Sequence, residues 1–243
     1  MSDCLVIIPT YNEKENIGKM IRTVMHLPHP FHLLIIDDNS KDGTAEIIKQ
    51  NMSDFPDRLF LEQRAGKLGL GTAYIHGFRW ALKKKYQYIF EMDADFSHNP
   101  DDLVKLYNAC AVEGADLSIG SRYIKGVNVV NWPMGRVMMS YFASMYVRIV
   151  TRMPIRDTTA GFKCYTRRVL ETINLDKIRF TGYAFQIEMK FAAWKLGFKL
   201  KEVPIIFTDR SEGQSKMSGG IFSEAIFGVL GMKLKSFFKN YRK

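Results

Sequence analysis

A chain of 243 residues with 47% apolar side chains buries a sizeable core as one domain, or one domain with an appendage, and is not a disordered polymer. Its three cysteines, Cys4, Cys110 and Cys164, fit neither a disulfide framework nor a zinc site and read as buried thiols in a reducing compartment. The net charge of +10 divides unevenly: residues 1–120 hold 13 Lys+Arg against 17 Asp+Glu, and residues 121–243 hold 22 against 8. An acidic half suited to a cation thus precedes a basic half suited to phosphate, nucleic acid or an anionic membrane.

The chain opens on CLVIIP (4–9), a continuous apolar run of buried-strand type, too short for a secretory signal and lacking a basic flank and cleavage site. NEKENIGKMIRTVMHL follows with helical periodicity through Ile17, Ile21, Val24 and Met25. HLLIID (32–37) then precedes helical TAEIIKQN, RLFLEQ (58–63) precedes a glycine turn and AYIHGFRWALKKK, and YQYIFEMD (86–93) precedes PDDLVKLYNAC. Strands alternating with helices predict right-handed crossovers and an α/β fold with a mainly parallel sheet. Ligands are then expected at the carboxyl ends of the strands.

The polar motifs fall at those ends. PTYNE (9–13) closes the first strand and opens a helix, so Tyr11 is placed to stack on a nucleobase, while Asn12 and Glu13 also suit simple helix capping. IDDNSKDGT (36–44) puts two acids at the second strand's end, where Asp and Gly also make ordinary turns. EMDADFSHNP (91–100) places Asp93 and Asp95 on one side of an extended segment. Paired carboxylates repel unless a hard divalent cation lies between them and a diphosphate, and Mg2+ and Mn2+ take such oxygen ligands.

In this order, PTYNE, IDDNSKDGT, DADFSHNP, GSRY (120–123), DTTAGFK (157–163) and DRSEGQSKM (209–217) resemble the motifs of dolichol-phosphate mannose synthases, inverting glycosyltransferases of the GT-A fold. The resemblance covers roughly residues 4–220. It implies a GDP-mannose donor held by Pro9, Tyr11, Glu13, Ile36 and Asp38, with Asp93, Ala94 and Asp95 around the diphosphate. It implies Mg2+ or Mn2+ on Asp95 and Ser97; some relatives carry Gln where Ser97 stands, so its backbone carbonyl or a water is an alternative ligand. Arg122, Arg136 and Ser140 are similar to the family's residues for the acceptor phosphate, that of a dolichyl or polyprenyl lipid. With Asp95 they make the catalytic set, and Arg122 also faces the donor. Arg210 and Lys216 resemble the segment that closes over the donor diphosphate.

The chemistry agrees with that carry-over. A phosphate acceptor is already anionic and needs no general base, only cations to position it and exclusion of water. Arg136 and Ser140, spaced i, i+4, share a helix face suited to one phosphate. Gln186 and Glu188 suit either the acceptor side or a helix face meeting the core. The five histidines show no ligand spacing.

No apolar run reaches the roughly 18 residues of a spanning helix. From 221, Ile221, Phe222, Ala225, Ile226, Val229, Leu230, Met232, Leu234, Phe237 and Phe238 follow helical spacing, with Lys233, Lys235, Lys239, Arg242 and Lys243 interleaved or following: an interfacial helix with a polybasic end. Residues 134–150 are a second candidate. The expected organisation is a catalytic domain over 1–217, with a nucleotide-sugar and metal half (1–120) and an acceptor half (121–217), and a membrane-interface helix over 218–243. The protein is expected to lie peripherally on the cytoplasmic side of a membrane, with or without a separate anchoring subunit. A polyprenyl-phosphate transferase using UDP-glucose shares these motifs. A nucleic-acid-binding protein fits poorly, because the basic residues are interleaved with Phe, Met and Ile, and the acidic strand ends would be left unexplained.

Overall fold

The computed structural model describes residues 2–210 and 221–243, apart from the side chains of 221–226. Strand β1 (Cys4–Thr10) is buried nearly throughout because its run of apolar residues serves both faces, as a central parallel strand requires. Leu5 and Ile7 enter one core while Cys4, Val6 and Ile8 enter the other. β1 pairs in parallel with β2 (His32–Asp37) on one side and β4 (Tyr88–Glu91) on the other, and β3 (Leu59–Gln63) lies outside β2.

The crossovers are α1 (Ile17–Met25), α2 (Thr44–Met52), α3 (Leu70–Leu82) and α4 (Asp102–Ala111). α1 begins at Ile17, later than the helical pattern predicts. Asn12 is left-handed at φ 53°, and the amides of Asn12, Glu13 and Lys14 are taken by Ser40 Oγ, Thr44 Oγ1 and Asp42 Oδ2. The residues after β1 therefore form a loop laced to the loop after β2.

Beyond α4 run β5 (Leu117–Ser121), β6 (Val129–Val130), α5 (Met134–Thr151), β7 (Lys163–Thr166), α6 (Arg167–Thr172), α7 (Ala184–Lys195), β8 (Leu200–Pro204), β9 (Phe207–Thr208) and α8 (Ile221–Lys235). The main sheet has the order β3-β2-β1-β4-β7-β5-β8, with β7 alone antiparallel to its neighbours. Six strands thus end at one edge, and β7 starts there, Glu91 opposite Lys163. Chain order reverses between β1 and β4, which opens a crevice at that edge.

The stretch expected as an interface helix packs on the rest of the chain. Val229, Met232 and Tyr241 belong to the core on the α3 and α7 side, and the tail is stapled to the domain by Asn174 N–H to the Tyr241 carbonyl (2.8 Å) and Lys243 N–H to the Thr172 carbonyl (2.9 Å). Among the described residues no helix is long and apolar enough to cross a membrane.

Candidate active site

The two loops at the ends of β1 and β2 form the first wall. Asp37 is fully buried and accepts from Thr10 Oγ1 (2.9 Å), Ser40 Oγ (2.6 Å) and Ser40 N (3.0 Å), while Lys41 N donates to Asn12 Oδ1. Asp37 is thus an internal tie, and Asp38 turns the other way. Arg64, just past β3, grips Asp38 through Nε (2.6 Å) and Nη2 (2.7 Å) and donates to Thr72 Oγ1. Such a bidentate, nearly buried pair holds both side chains in fixed geometry. Tyr11 lies half-buried at the rim with Lys67 Nζ 5.2 Å above its ring. Pro9 and Ile36 pair across the β1–β2 ladder, and the Ile36 side chain enters the core, leaving only its backbone for a ligand.

The second wall is the turn after β4. Ala94 is buried, Asp95 is 8% exposed and the Asp93 side chain 41% exposed. Partial burial, then repulsion from Asp95 and Glu91, raises the Asp93 carboxyl above its ordinary value. Phe96 adopts φ 59°, a left-handed conformation that costs a non-glycine residue roughly 1–2 kcal/mol. The turn is held by Ser97 N–H to Asp95 Oδ1 (3.1 Å) and by Thr208 N–H to the Ser97 carbonyl (3.3 Å). That carbonyl, one of the alternatives for a metal, is thus also engaged by β9. His98 lies beneath, stacked on Phe162, and accepts at Nδ1 from Asp93 N (3.3 Å). Burial, with Arg122 nearby, holds its pKa down to about 4, so the ring is neutral.

The third wall is basic. Arg122, just past β5, is gripped by Asp157 through Nε (2.7 Å) and Nη2 (2.6 Å), and Nη2 also reaches Thr159 Oγ1. Burial opposes the charge on Asp157, but the guanidinium outweighs it and keeps the carboxyl below the usual carboxylate range. Glu202 on β8 orients Asp157 by accepting from Asp157 N (2.9 Å), Arg156 N (2.8 Å) and Ser121 Oγ (2.7 Å). Trp132 lies 5.6 Å from Arg122 and 4.2 Å from Arg136. Arg136, in the first turn of α5, bonds both oxygens of Asp209. Ser140, one turn on, accepts from Tyr123 OH at 2.8 Å.

Arg210 Nη2 stands 3.2 Å from Asp95 Oδ2, and Asp95, Phe96, Asn131, Thr208, Asp209 and Arg210 line a cavity of about 380 Å³. The structure therefore brings Asp95 and Arg210 to one cavity, with Arg136 bonded to its lining residue Asp209, Asp93 and Ser97 on the same turn as Asp95, and Tyr11 and Glu13 on the loop after β1. Lys216 lies outside the described residues. Gln186 and Glu188 are core ties: Gln186 Oε1 accepts from Lys163, and Glu188 Oε2 accepts from Arg179 N and Phe180 N.

Sequence reasoning assigned no role to Arg64, Trp132, Asp157, Glu202 or Asp209. Arg64 carried a signal, since it follows the third parallel strand and so falls at the ligand edge. Asp157 and Asp209 lie inside quoted motifs. Their roles emerge only from long-range pairing.

The donor set suits a hard divalent cation: Asp95, Asp93 and the Ser97 hydroxyl are oxygen donors, and after burial it is repulsion from Asp95 and Glu91 that pushes Asp93 up, which a cation would relieve.

A model of glycosyl transferase family 2 matches residues 5–174. The chain is 46% identical over 225 residues to the polyprenol monophosphomannose synthase of Mycolicibacterium smegmatis, covering 93% of this chain and 84% of that one. It is 43% identical over 225 residues to the undecaprenyl-phosphate mannosyltransferase of Micrococcus luteus, covering 93% and 91%. Among solved structures it is similar to glucosyl-3-phosphoglycerate synthase from Mycobacterium tuberculosis in complex with Mn2+, UDP-glucose and phosphoglyceric acid, with a TM-score of 0.68 at 16% identity over 95% of this chain and 79% of that one.

Proposed function

This chain belongs to glycosyl transferase family 2, with a GT-A fold, and from that membership we propose that it transfers mannose from GDP-mannose to the phosphate of a polyprenyl lipid with inversion at the sugar carbon. The observation that carries the reading beyond family is the meeting of Asp95 with Arg210 and of Asp209 with Arg136 around one cavity. A charged donor diphosphate and a charged acceptor phosphate need separate cations, and the site offers Arg210 and Arg136 at one cavity.

Tyr11, Glu13 and the laced loops after β1 and β2 receive the nucleoside, with Asp38 fixed by Arg64. Asp95 and the Ser97 Oγ, beside Asp93, would hold Mg2+ or Mn2+. The cation supplies Lewis-acid neutralisation of the departing diphosphate. Arg210 exchanges its carboxylate partner for the diphosphate, adding a charge-assisted hydrogen bond where negative charge develops. Arg136 and Ser140 fix the acceptor phosphate, with Arg122 behind them, oriented by Asp157. The acceptor oxygen needs no proton removed, so catalysis here is alignment and electrostatic stabilisation.

A polyprenyl tail stays in the bilayer, so the site must come to the headgroups, with the protein lying peripherally on the membrane. α5 has the surface for this. Met134, Met138, Tyr141, Phe142, Met145 and Ile149 form an apolar stripe exposed to solvent, while Ser144, Val147 and Thr151 face inward. An outward apolar stripe of this size marks a membrane or partner contact.

The test is to incubate purified protein and Mn2+ with radiolabelled GDP-mannose, UDP-glucose and other nucleotide sugars beside a polyprenyl phosphate. Label should enter lipid from GDP-mannose alone. Transfer from UDP-glucose only would replace the donor assignment, and no transfer from any donor would overturn the function.

A further inference from the structure

A cavity of about 790 Å³ opens between α8, residues 176–180 and the C-terminal tail, and it shares no lining residue with the cavity at Asp95. Phe180, Phe227, Met232 and Phe238 make its walls mainly apolar. α8 leaves room for it with glycine. A Cβ on Gly231 would meet nothing within 4 Å, whereas one on Gly228 would come within 2.9 Å of the Phe180 ring. Glycine in a helix interior costs roughly 1 kcal/mol relative to alanine, so Gly231 keeps space open where another residue would hold the helix better.

Cations rim this apolar space. The one buried acid there, Glu188, is already satisfied by the amides of Arg179 (2.8 Å) and Phe180 (3.1 Å), by Lys239 (2.8 Å) and by Tyr241. Lys177 Nζ donates to the Asn240 carbonyl. The Arg179 guanidinium and the Lys235 ammonium make no hydrogen bond or ion pair among the described residues. Beside them Phe227 is 74% and Phe238 95% exposed.

We propose that this cavity binds one anionic glycerophospholipid, with its phosphate between Arg179 and Lys235 and an acyl chain along Phe180, Phe227 and Phe238. Charge complementarity selects the headgroup: two cations without carboxylate partners suit a phosphodiester carrying net negative charge and discriminate against a zwitterion. The apolar wall selects a lipid over free phosphate, because burying methylenes there is favourable and phosphate alone leaves the wall wet. The inference rests on the membrane reading above only for the source of the lipid.

The experiment is calorimetry of the full chain with monomeric dihexanoyl-phosphatidylglycerol, with dihexanoyl-phosphatidylcholine and glycerol 3-phosphate as comparisons. Phosphatidylglycerol should bind saturably, one per chain. Arg179→Ala with Lys235→Ala should weaken it by about tenfold or more. Gly231→Phe, which adds a ring where a Cβ meets nothing, should abolish it while leaving thermal unfolding and GDP-mannose affinity unchanged. Equal affinity for phosphatidylcholine, equal affinity for glycerol 3-phosphate, unaltered binding by Gly231→Phe, or no binding at all would each overturn the proposal. Donor affinity is read separately, so failure here stays distinct from failure of the transferase reading.

Discussion

Asp209 holds Arg136 by a single guanidinium nitrogen, Nη1, which lies 2.9 and 3.0 Å from its two carboxylate oxygens. The pair joins the end of β9 to the first turn of α5, so the residue proposed for acceptor phosphate is tied to the strand that also braces the Ser97 carbonyl. Its side chains are 32% and 27% exposed, and partly solvated pairs of this kind contribute less than about 1 kcal/mol to stability. Orientation is the better account of the contact. Asp209→Asn should leave thermal unfolding nearly unchanged and raise the KM for polyprenyl phosphate several-fold without altering donor affinity. Because Asp209 acts through Arg136, the double variant with Arg136→Ala should lose no more than Arg136→Ala alone. Additive losses would show that Asp209 touches a ligand by itself.

Asp95 is engaged at both oxygens, by Ser97 N at Oδ1 and Arg210 at Oδ2. Asp95→Asn keeps an oxygen for the amide and removes the charge, so the fold should survive. Binding of Mn2+ with GDP-mannose, followed by calorimetry, should vanish, and turnover should fall by at least about 100-fold. Excess chelator should do the same to the unaltered protein, whereas full turnover in chelator would remove the metal from the mechanism.

The Arg122–Asp157 pair predicts an acid limit. Asp157 titrates below its ordinary value in the folded chain, so its contribution is present above the unfolded pKa of about 3.9 and is lost as pH falls through the folded value. At neutral pH, Asp157→Asn strands a buried guanidinium and should cost about 3 kcal/mol. The stability gap between the two proteins should shrink as pH falls from neutral to below the unfolded pKa of about 3.9, measured by denaturant unfolding. A constant gap across that window would mean that packing, not charge, is what Asp157 supplies.

The first four strands and their helices were legible because CLVIIP is a continuous apolar run, HLLIID, RLFLEQ and YQYIFE carry mostly apolar centres, and the helices between them have a buried stripe. β7 was not, because KCYT is short and starts with Lys163, a lysine fully buried against Glu91 at 3.1 Å. α7 hid its environment for a similar reason: Gln186, Glu188 and Lys190 are all buried, so polar residues occupy positions that periodicity assigns to solvent. Strand-end acids pointed to the acidic turn after β4 from local sequence alone. Their partners, Arg64 for Asp38 and Arg122 for Asp157, come from residues 26 and 35 positions away, and no local pattern carries such pairs.

The proposed membrane docking, finally, is better tested on α5 than by loss of the C-terminal helix. Removing residues after 220 would take Val229, Met232 and Tyr241 from the core and Lys239 from Glu188, so release from membranes would follow from unfolding as readily as from a lost contact. Lys233 is also committed in part, lying 5.8 Å from Phe191 and 6.0 Å from Trp194. The exposed stripe of α5 allows a cleaner experiment, since Met138, Met139 and Phe142 are each about half exposed, and changing them disturbs little packing. Each apolar side chain entering the acyl boundary is worth about 1.5–3 kcal/mol at full burial. Met138→Ser, Met139→Ser and Phe142→Ser together should therefore lower liposome binding by at least about tenfold, with unchanged thermal unfolding. Activity should fall on long-chain polyprenyl phosphate in vesicles and persist on a short, water-soluble analogue. If the triple variant still sediments with liposomes as the unaltered chain does, α5 is not the docking face, and the exposed Phe227, Leu234, Phe237 and Phe238 of the C-terminal segment take its place.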